Sequence, residues 1–81
     1  MWFVYVLKCF DNTLYTGITT DTKRRELEHN TSLKAAKYTR IRRPVELVYA
    51  KEFKNRSEAS KEEYRIKQLS RKQKDSLIQE K

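Results

Sequence analysis

A chain of 81 residues has room for one domain and one small core, because short chains bury a smaller share of their surface than long ones do. One Gly and one Pro leave little scope for flexible linkers, and the lone Cys9 excludes an internal disulfide and any cysteine-rich zinc site. The formal net charge of +8 favours phosphate-bearing partners, while Lys8 ends the apolar run that starts at Trp2 far short of a membrane span, so a cytoplasmic protein without membrane attachment is expected.

Trp2 to Cys9 (WFVYVLKC) is rich in aromatic and β-branched residues and reads as a buried strand. Phe10, Asp11 and Asn12 form a short connection, with Asp-Asn supplying turn geometry, and Thr13 to Thr19 (TLYTGIT) returns as the second strand of a hairpin. Thr20 or Asp21 caps a helix from Thr22 to about Asn30. A polar, basic stretch follows from Thr31 to Arg43. Pro44 ends it and precedes a third strand from Val45 to Tyr49 or slightly beyond. Asn55 or Ser57 caps a second helix that runs to about Leu69. Ser70 with Gln73 makes a capping-box pattern, so a third helix starts there and runs towards Gln79. The expectation is one α/β domain over residues 1–81, a three-stranded antiparallel sheet flanked by helices in the order β-β-α-β-α-α.

Charge is distributed unevenly. Residues 1–20 are neutral overall, 21–44 carry +5 and 45–81 carry +3. The middle segment interleaves Lys34, Lys37, Arg40, Arg42 and Arg43 with Tyr38. Such a segment can follow a nucleic-acid backbone while its aromatic ring stacks on a base, or it can be a solvated loop. Arg71, Lys72 and Lys74 read as a plain solvated helix face.

Periodicity places several polar residues. Arg25 and His29 are four apart and share one face of the first helix, with Leu27 roughly opposite and expected to face the core. That arrangement puts any cleft beside the helix rather than beneath it. On the second helix, Ala59, Ile66 and Leu69 define the inner stripe, and both Glu62 and Glu63 border it, with Glu62 slightly favoured. A carboxylate there is costly unless it is paired or metal-bound. In the hairpin, a three-residue loop sets Tyr5 opposite Gly17 with Tyr15 on the same side, whereas a two-residue turn puts the tyrosines on opposite faces.

Taken in order, these residues resemble the GIY-YIG nuclease family, and within it the small stand-alone bacterial subgroup. The first tripeptide corresponds to Phe3-Val4-Tyr5 and the second to Tyr15-Thr16-Gly17. Arg25 stands eight positions after that glycine, followed by His29 and Asn30. The stretches Ala36-Lys37-Tyr38-Thr39 and Arg43 to Tyr49 continue the pattern, and Glu63 takes the place of the metal-binding glutamate. The chain departs from the subgroup in lacking glycines after Asn30 and in carrying Ser60 where leucine is usual.

The resemblance implies an endonuclease that hydrolyses phosphodiester bonds of single-stranded or branched DNA, or of RNA, with Mg²⁺ or Mn²⁺ held by Glu63. It implies Tyr5 as general base, its phenolate favoured by Arg25, a protonated His29 or the metal, and Tyr15 as the residue that orients water or phosphate. Arg25 then clamps the phosphate, and His29 bonds a tyrosine hydroxyl or protonates the leaving group. It requires the three-residue hairpin loop, so that Gly17 leaves floor space for a phosphate. Gly17, Lys37, Tyr38, Arg40 and Arg42 are the expected nucleic-acid contacts, and the assembly is expected to be a monomer or weak dimer. The competing expectation is a non-catalytic nucleic-acid-binding module of the same fold.

Overall fold

β1 (Trp2–Cys9) runs through the centre of a three-stranded antiparallel sheet, between β2 (Leu14–Thr19) and β3 (Val45–Phe53), in a computed structural model that describes residues 1–79. The central position explains why β1 lacks the alternation of a half-exposed strand: Val4, Tyr5, Val6 and Leu7 are all buried. Val4 and Val6 pack with Tyr49, Ala59 and Ile66 on one side of the sheet. Tyr5, Leu7 and Cys9 pack with Val45 on the other.

The hairpin register follows from its turn. Residues 10–12 form the connection, closed by Cys9 N–H to the Thr13 carbonyl at 2.8 Å and Asn12 N–H to the Cys9 carbonyl at 2.9 Å. Asn12 adopts φ 70°, the left-handed conformation that asparagine tolerates better than most residues. The outcome is Tyr5 opposite Gly17 and Leu7 opposite Tyr15, which puts both tyrosines on one face. Between β1 and β3 the register shifts at Val6/Leu7, so Val6 pairs with Tyr49 and Leu7 with Leu47.

Helices cover both faces. α1 (Thr22–Thr31) and the short α2 (Lys37–Arg40) lie on the Tyr5 face, while α3 (Arg56–Lys67) and α4 (Arg71–Gln79) lie on the Val4 face. Their starts are set by side-chain caps. Asp21 accepts from Arg24 N–H at 3.0 Å, and Asn55 accepts from Glu58 N–H at 2.9 Å. Ser70 and Gln73 exchange the two bonds of a capping box at 2.9 and 3.2 Å.

One short element adds to the order read from the sequence, and one expectation fails. The basic stretch is not loop throughout: the N–H groups of Thr39 and Arg40 both bond to the Ala36 carbonyl at 3.1 Å, forming α2. A four-residue helix is too short to show apolar periodicity. Leu27 is 62% exposed instead of core-facing, and α1 turns a polar side inward. β3 is an edge strand, and the polar residues of α1 satisfy that edge: Glu26 Oε2 accepts from Leu47 N–H at 2.7 Å. Asn30 likewise accepts from Val45 N–H at 2.7 Å and donates to its carbonyl at 3.0 Å.

Candidate active site

Tyr5 is 2% exposed, and its hydroxyl end lies over Gly17. A Cβ on residue 17 would stand 2.5 Å from Tyr5 Oη and 2.7 Å from its Cζ, so glycine is the residue that lets the ring cross β2. The space over Gly17, expected to floor a phosphate, is filled by the phenol. Tyr5 Oη is 2.9 Å from His29 Nε2, and His29 Nδ1 is 2.6 Å from Thr39 Oγ1. Periodicity alone makes His29 an ordinary polar residue at a helix end; it is fully buried, as is Thr39. In the sequence Thr39 is only one member of a matching stretch, and its role depends on α2, which carries no sequence signal of its own.

An aromatic ladder leads outward from this buried pair. Tyr15 lies beside His29 with ring centroids 5.3 Å apart, and Tyr38 stacks on Tyr15 at 6.1 Å with an interplanar angle of 26°. The Arg42 guanidinium sits 3.9 Å above the Tyr38 ring, where it also pairs with Asp11 at 3.1 Å and donates to the Tyr38 carbonyl at 2.9 Å. Arg43 is structural: its guanidinium bonds the carbonyls of His29 and Ser32 at the end of α1, each at 2.5 Å. Lys37 and Arg40 are exposed.

Burial governs the electrostatics. It pushes the Tyr5 phenol up to about 12, against the pull of the Arg25 guanidinium beside it. Burial, reinforced by the positive charges of Arg25 and Arg43, pushes His29 down to about 4. His29 is therefore neutral at neutral pH, and the imidazolium expected to favour a Tyr5 phenolate is absent from the resting site. Arg25 remains the nearby cation, anchored by Glu28 at 2.9 Å and the Lys34 carbonyl at 3.2 Å.

The two glutamates of α3 part company. Glu62 holds Arg65 with two bonds of 2.7 and 2.6 Å and lines a groove with Phe53, Glu58 and Lys61. Glu63 lies close enough to Tyr5 for its charge to act on the phenol, and its side chain remains 23% exposed. Lys67 Nζ sits 3.2 Å from the Glu63 carboxylate. Lys67 and Lys74 also line a groove of about 230 Å³ with Leu14, Tyr15, Thr16 and Tyr38, along the β2 edge. Among the described residues no group of three or more His, Cys, Asp or Glu side chains could hold a metal. One partly open carboxylate fits a hard cation that keeps most of its water and takes further oxygens from a phosphate.

Residues 1–76 match the GIY-YIG catalytic domain. The chain belongs to the GIY-YIG family. It is 61% identical over 77 residues to a UPF0213 protein of Desulfotalea psychrophila, covering 95% of this chain and 70% of that one. A UPF0213 protein of Listeria innocua is 54% identical over 78 residues, covering 96% and 86%. The solution NMR structure of the UPF0213 protein BH0048 from Bacillus halodurans superposes with a TM-score of 0.64 at 46% identity, covering all of this chain and 86% of that one. The GIY-YIG domain thus accounts for nearly the whole chain, and no described helix is long and apolar enough to cross a membrane.

Proposed function

We propose that the chain is a divalent-metal-dependent DNA endonuclease, with Tyr5 as the group that takes the proton of the attacking water. The observation that carries this reading is convergence: β1, α1 and α3 bring Tyr5, His29, Arg25 and the charge of Glu63 to one place. Arg25 presents a planar fork suited to a phosphate, and it opposes the rise that burial imposes on the Tyr5 phenol. Tyr15 borders both Tyr5 and His29 and is placed to orient water or the scissile phosphate. Glu63 would hold the cation, and a bound Mg²⁺ or Mn²⁺ would supply charge relief on the phosphoryl oxygens.

The surface supports a nucleic-acid substrate. The Tyr38 ring is packed against Tyr15 and the Arg42 guanidinium, and Lys67 and Lys74 line the adjoining groove. Lysines there meet a nucleic-acid backbone whatever its sequence. Such contacts position a nucleic acid and do not specify its sequence, and single-stranded or branched DNA is the substrate proposed.

The test is a cleavage panel of single-stranded, duplex, flap and branched DNA and RNA, with and without Mg²⁺ or Mn²⁺. Cleavage of DNA only with metal, and a fall of about two orders of magnitude or more in a folded Tyr5→Phe variant, is the expected result. Salt-dependent DNA binding without cleavage in any metal would favour a non-catalytic binding module instead.

A further inference from the structure

The buried hydrogens of the site can be counted. Tyr5, His29 and Thr39 are at most 2% exposed, so before substrate and its attacking water enter, each O–H and N–H among them needs a protein acceptor. Thr39 Oγ1 is within bonding distance of two groups: His29 Nδ1 at 2.6 Å and the Ala36 carbonyl at 3.0 Å. Tyr5 Oη faces His29 Nε2 and the Arg25 guanidinium, and a guanidinium has donors but no acceptor. Among the described residues the Tyr5 hydrogen therefore has one acceptor, the lone pair of Nε2. That lone pair exists on a neutral imidazole only when the ring proton is on Nδ1. The Nδ1 hydrogen then needs the Thr39 oxygen as acceptor, and the Thr39 hydrogen goes to the Ala36 carbonyl. Every hydrogen is placed. In the opposite arrangement Thr39 donates to Nδ1, Nε2–H donates to Tyr5, and the phenol hydrogen has no acceptor among the described residues.

We infer that Thr39 is a positioning residue: by accepting the Nδ1 proton of His29 it fixes the tautomer that leaves Nε2 free to receive the proton of Tyr5. This deepens the nuclease reading and rests on it for its catalytic consequence, though the tautomer itself is independent of any cleavage. In the reaction, an O–H bond of water breaks as its oxygen forms a bond to phosphorus. That proton goes to Tyr5 Oη as the phenol proton passes to His29 Nε2. The P–O bond to the leaving group breaks with its electron pair on the departing oxygen, which takes a proton from solvent. The imidazolium afterwards returns its proton to solvent, restoring the starting state. Without Thr39 the ring is free to take the Nε2–H form, which donates to Tyr5 and cannot accept from it.

His29 is the only histidine in the chain, so the nitrogen-15 NMR signals of its ring report the tautomer with no assignment ambiguity. In the wild-type protein at neutral pH, a protonated Nδ1 and an unprotonated Nε2 are expected. Thr39→Val leaves one hydrogen unmet in either form, so a clear share of the Nε2–H form should appear beside the Nδ1–H form, and kcat for metal-dependent cleavage should fall about 2- to 10-fold with little change in KM. Thr39→Ser, which keeps the hydroxyl, should retain both the tautomer and cleavage. A wild-type spectrum with the proton on Nε2 would overturn the inference without any variant. So would a folded Thr39→Val protein whose ring stays in the Nδ1–H form with no Nε2–H signal. If the wild-type ring carries its proton on Nδ1 and Thr39→Val brings in the Nε2–H form while no DNA is cut in any metal, the tautomer assignment stands and the nuclease reading fails.

Discussion

Gly17 lies directly across the hairpin from Tyr5, and the Tyr5 hydroxyl occupies the space where a side chain on residue 17 would begin. The contact explains the glycine by tertiary approach, since its backbone has no positive φ. Gly17→Ala would set a methyl 2.5 Å from Oη and 2.7 Å from Cζ, and the ring cannot retreat without losing His29. The expected cost is about 1–3 kcal/mol of stability, as for other overpacked sites, with cleavage falling further than stability alone would explain. Thermal denaturation and a cleavage assay on the same sample check both. A Gly17→Ala variant as stable and as active as the parent would show that Tyr5 has another place to go.

His29 titrates in the unfolded chain near its ordinary value of 6.5, but burial and the charges of Arg25 and Arg43 push it down to about 4 in the fold. Between those values the unfolded state binds the proton and the folded state does not. Stability from this group is thus fully present above about pH 6.5 and is lost as pH falls towards 4. The loss is on the order of 3 kcal/mol. Carboxylates titrate nearby, so the comparison is between pH slopes: a His29→Gln variant should lose less stability than the parent over this window in urea denaturation. Parallel slopes would show that His29 is charged in the fold.

The basic segment divides into two kinds of residue. Arg42 is committed to Asp11 and the Tyr38 ring, whereas Lys37 and Arg40 are exposed. Replacing Lys37 and Arg40 together with Ala should weaken DNA binding equally on all sequences and reduce the slope of log affinity against log salt by about 1–2, without loss of stability. Fluorescence anisotropy at several salt concentrations measures this. An unchanged slope would show these cations to be plain solvation.

The three-stranded sheet, the order of elements along the chain and three helix starts were legible because they rest on local signals: the aromatic and β-branched run of β1, the Ser70–Gln73 box, and cap candidates (Thr20 or Asp21, Asn55 or Ser57) from which the structure uses Asp21 and Asn55. The inward face of α1 was not. Apolar periodicity pointed to Leu27, but the neighbouring surface is the polar edge of β3, which selects Glu26 and Asn30 instead. The residue types of the site came from the resemblance. Its internal wiring did not, because the Thr39–His29–Tyr5 chain is made by elements 10 and 24 residues apart in sequence. Periodicity likewise favoured Glu62 only slightly over Glu63, since the difference between them lies in which neighbours each meets across the molecule.

That difference supplies the most direct test. Metal-dependent DNA cleavage should be measured for Glu63→Gln beside Glu62→Gln, with DNA affinity and thermal stability followed for both. Each change removes a partly exposed ion pair, Glu63 with Lys67 and Glu62 with Arg65, so stability should shift by no more than about 1 kcal/mol. Glu63→Gln should lose cleavage by about two orders of magnitude or more while binding DNA as well as the parent, and Glu62→Gln should cleave nearly normally. Full activity in Glu63→Gln, or a dead Glu62→Gln enzyme, would contradict the assignment of the metal-binding carboxylate beside Tyr5.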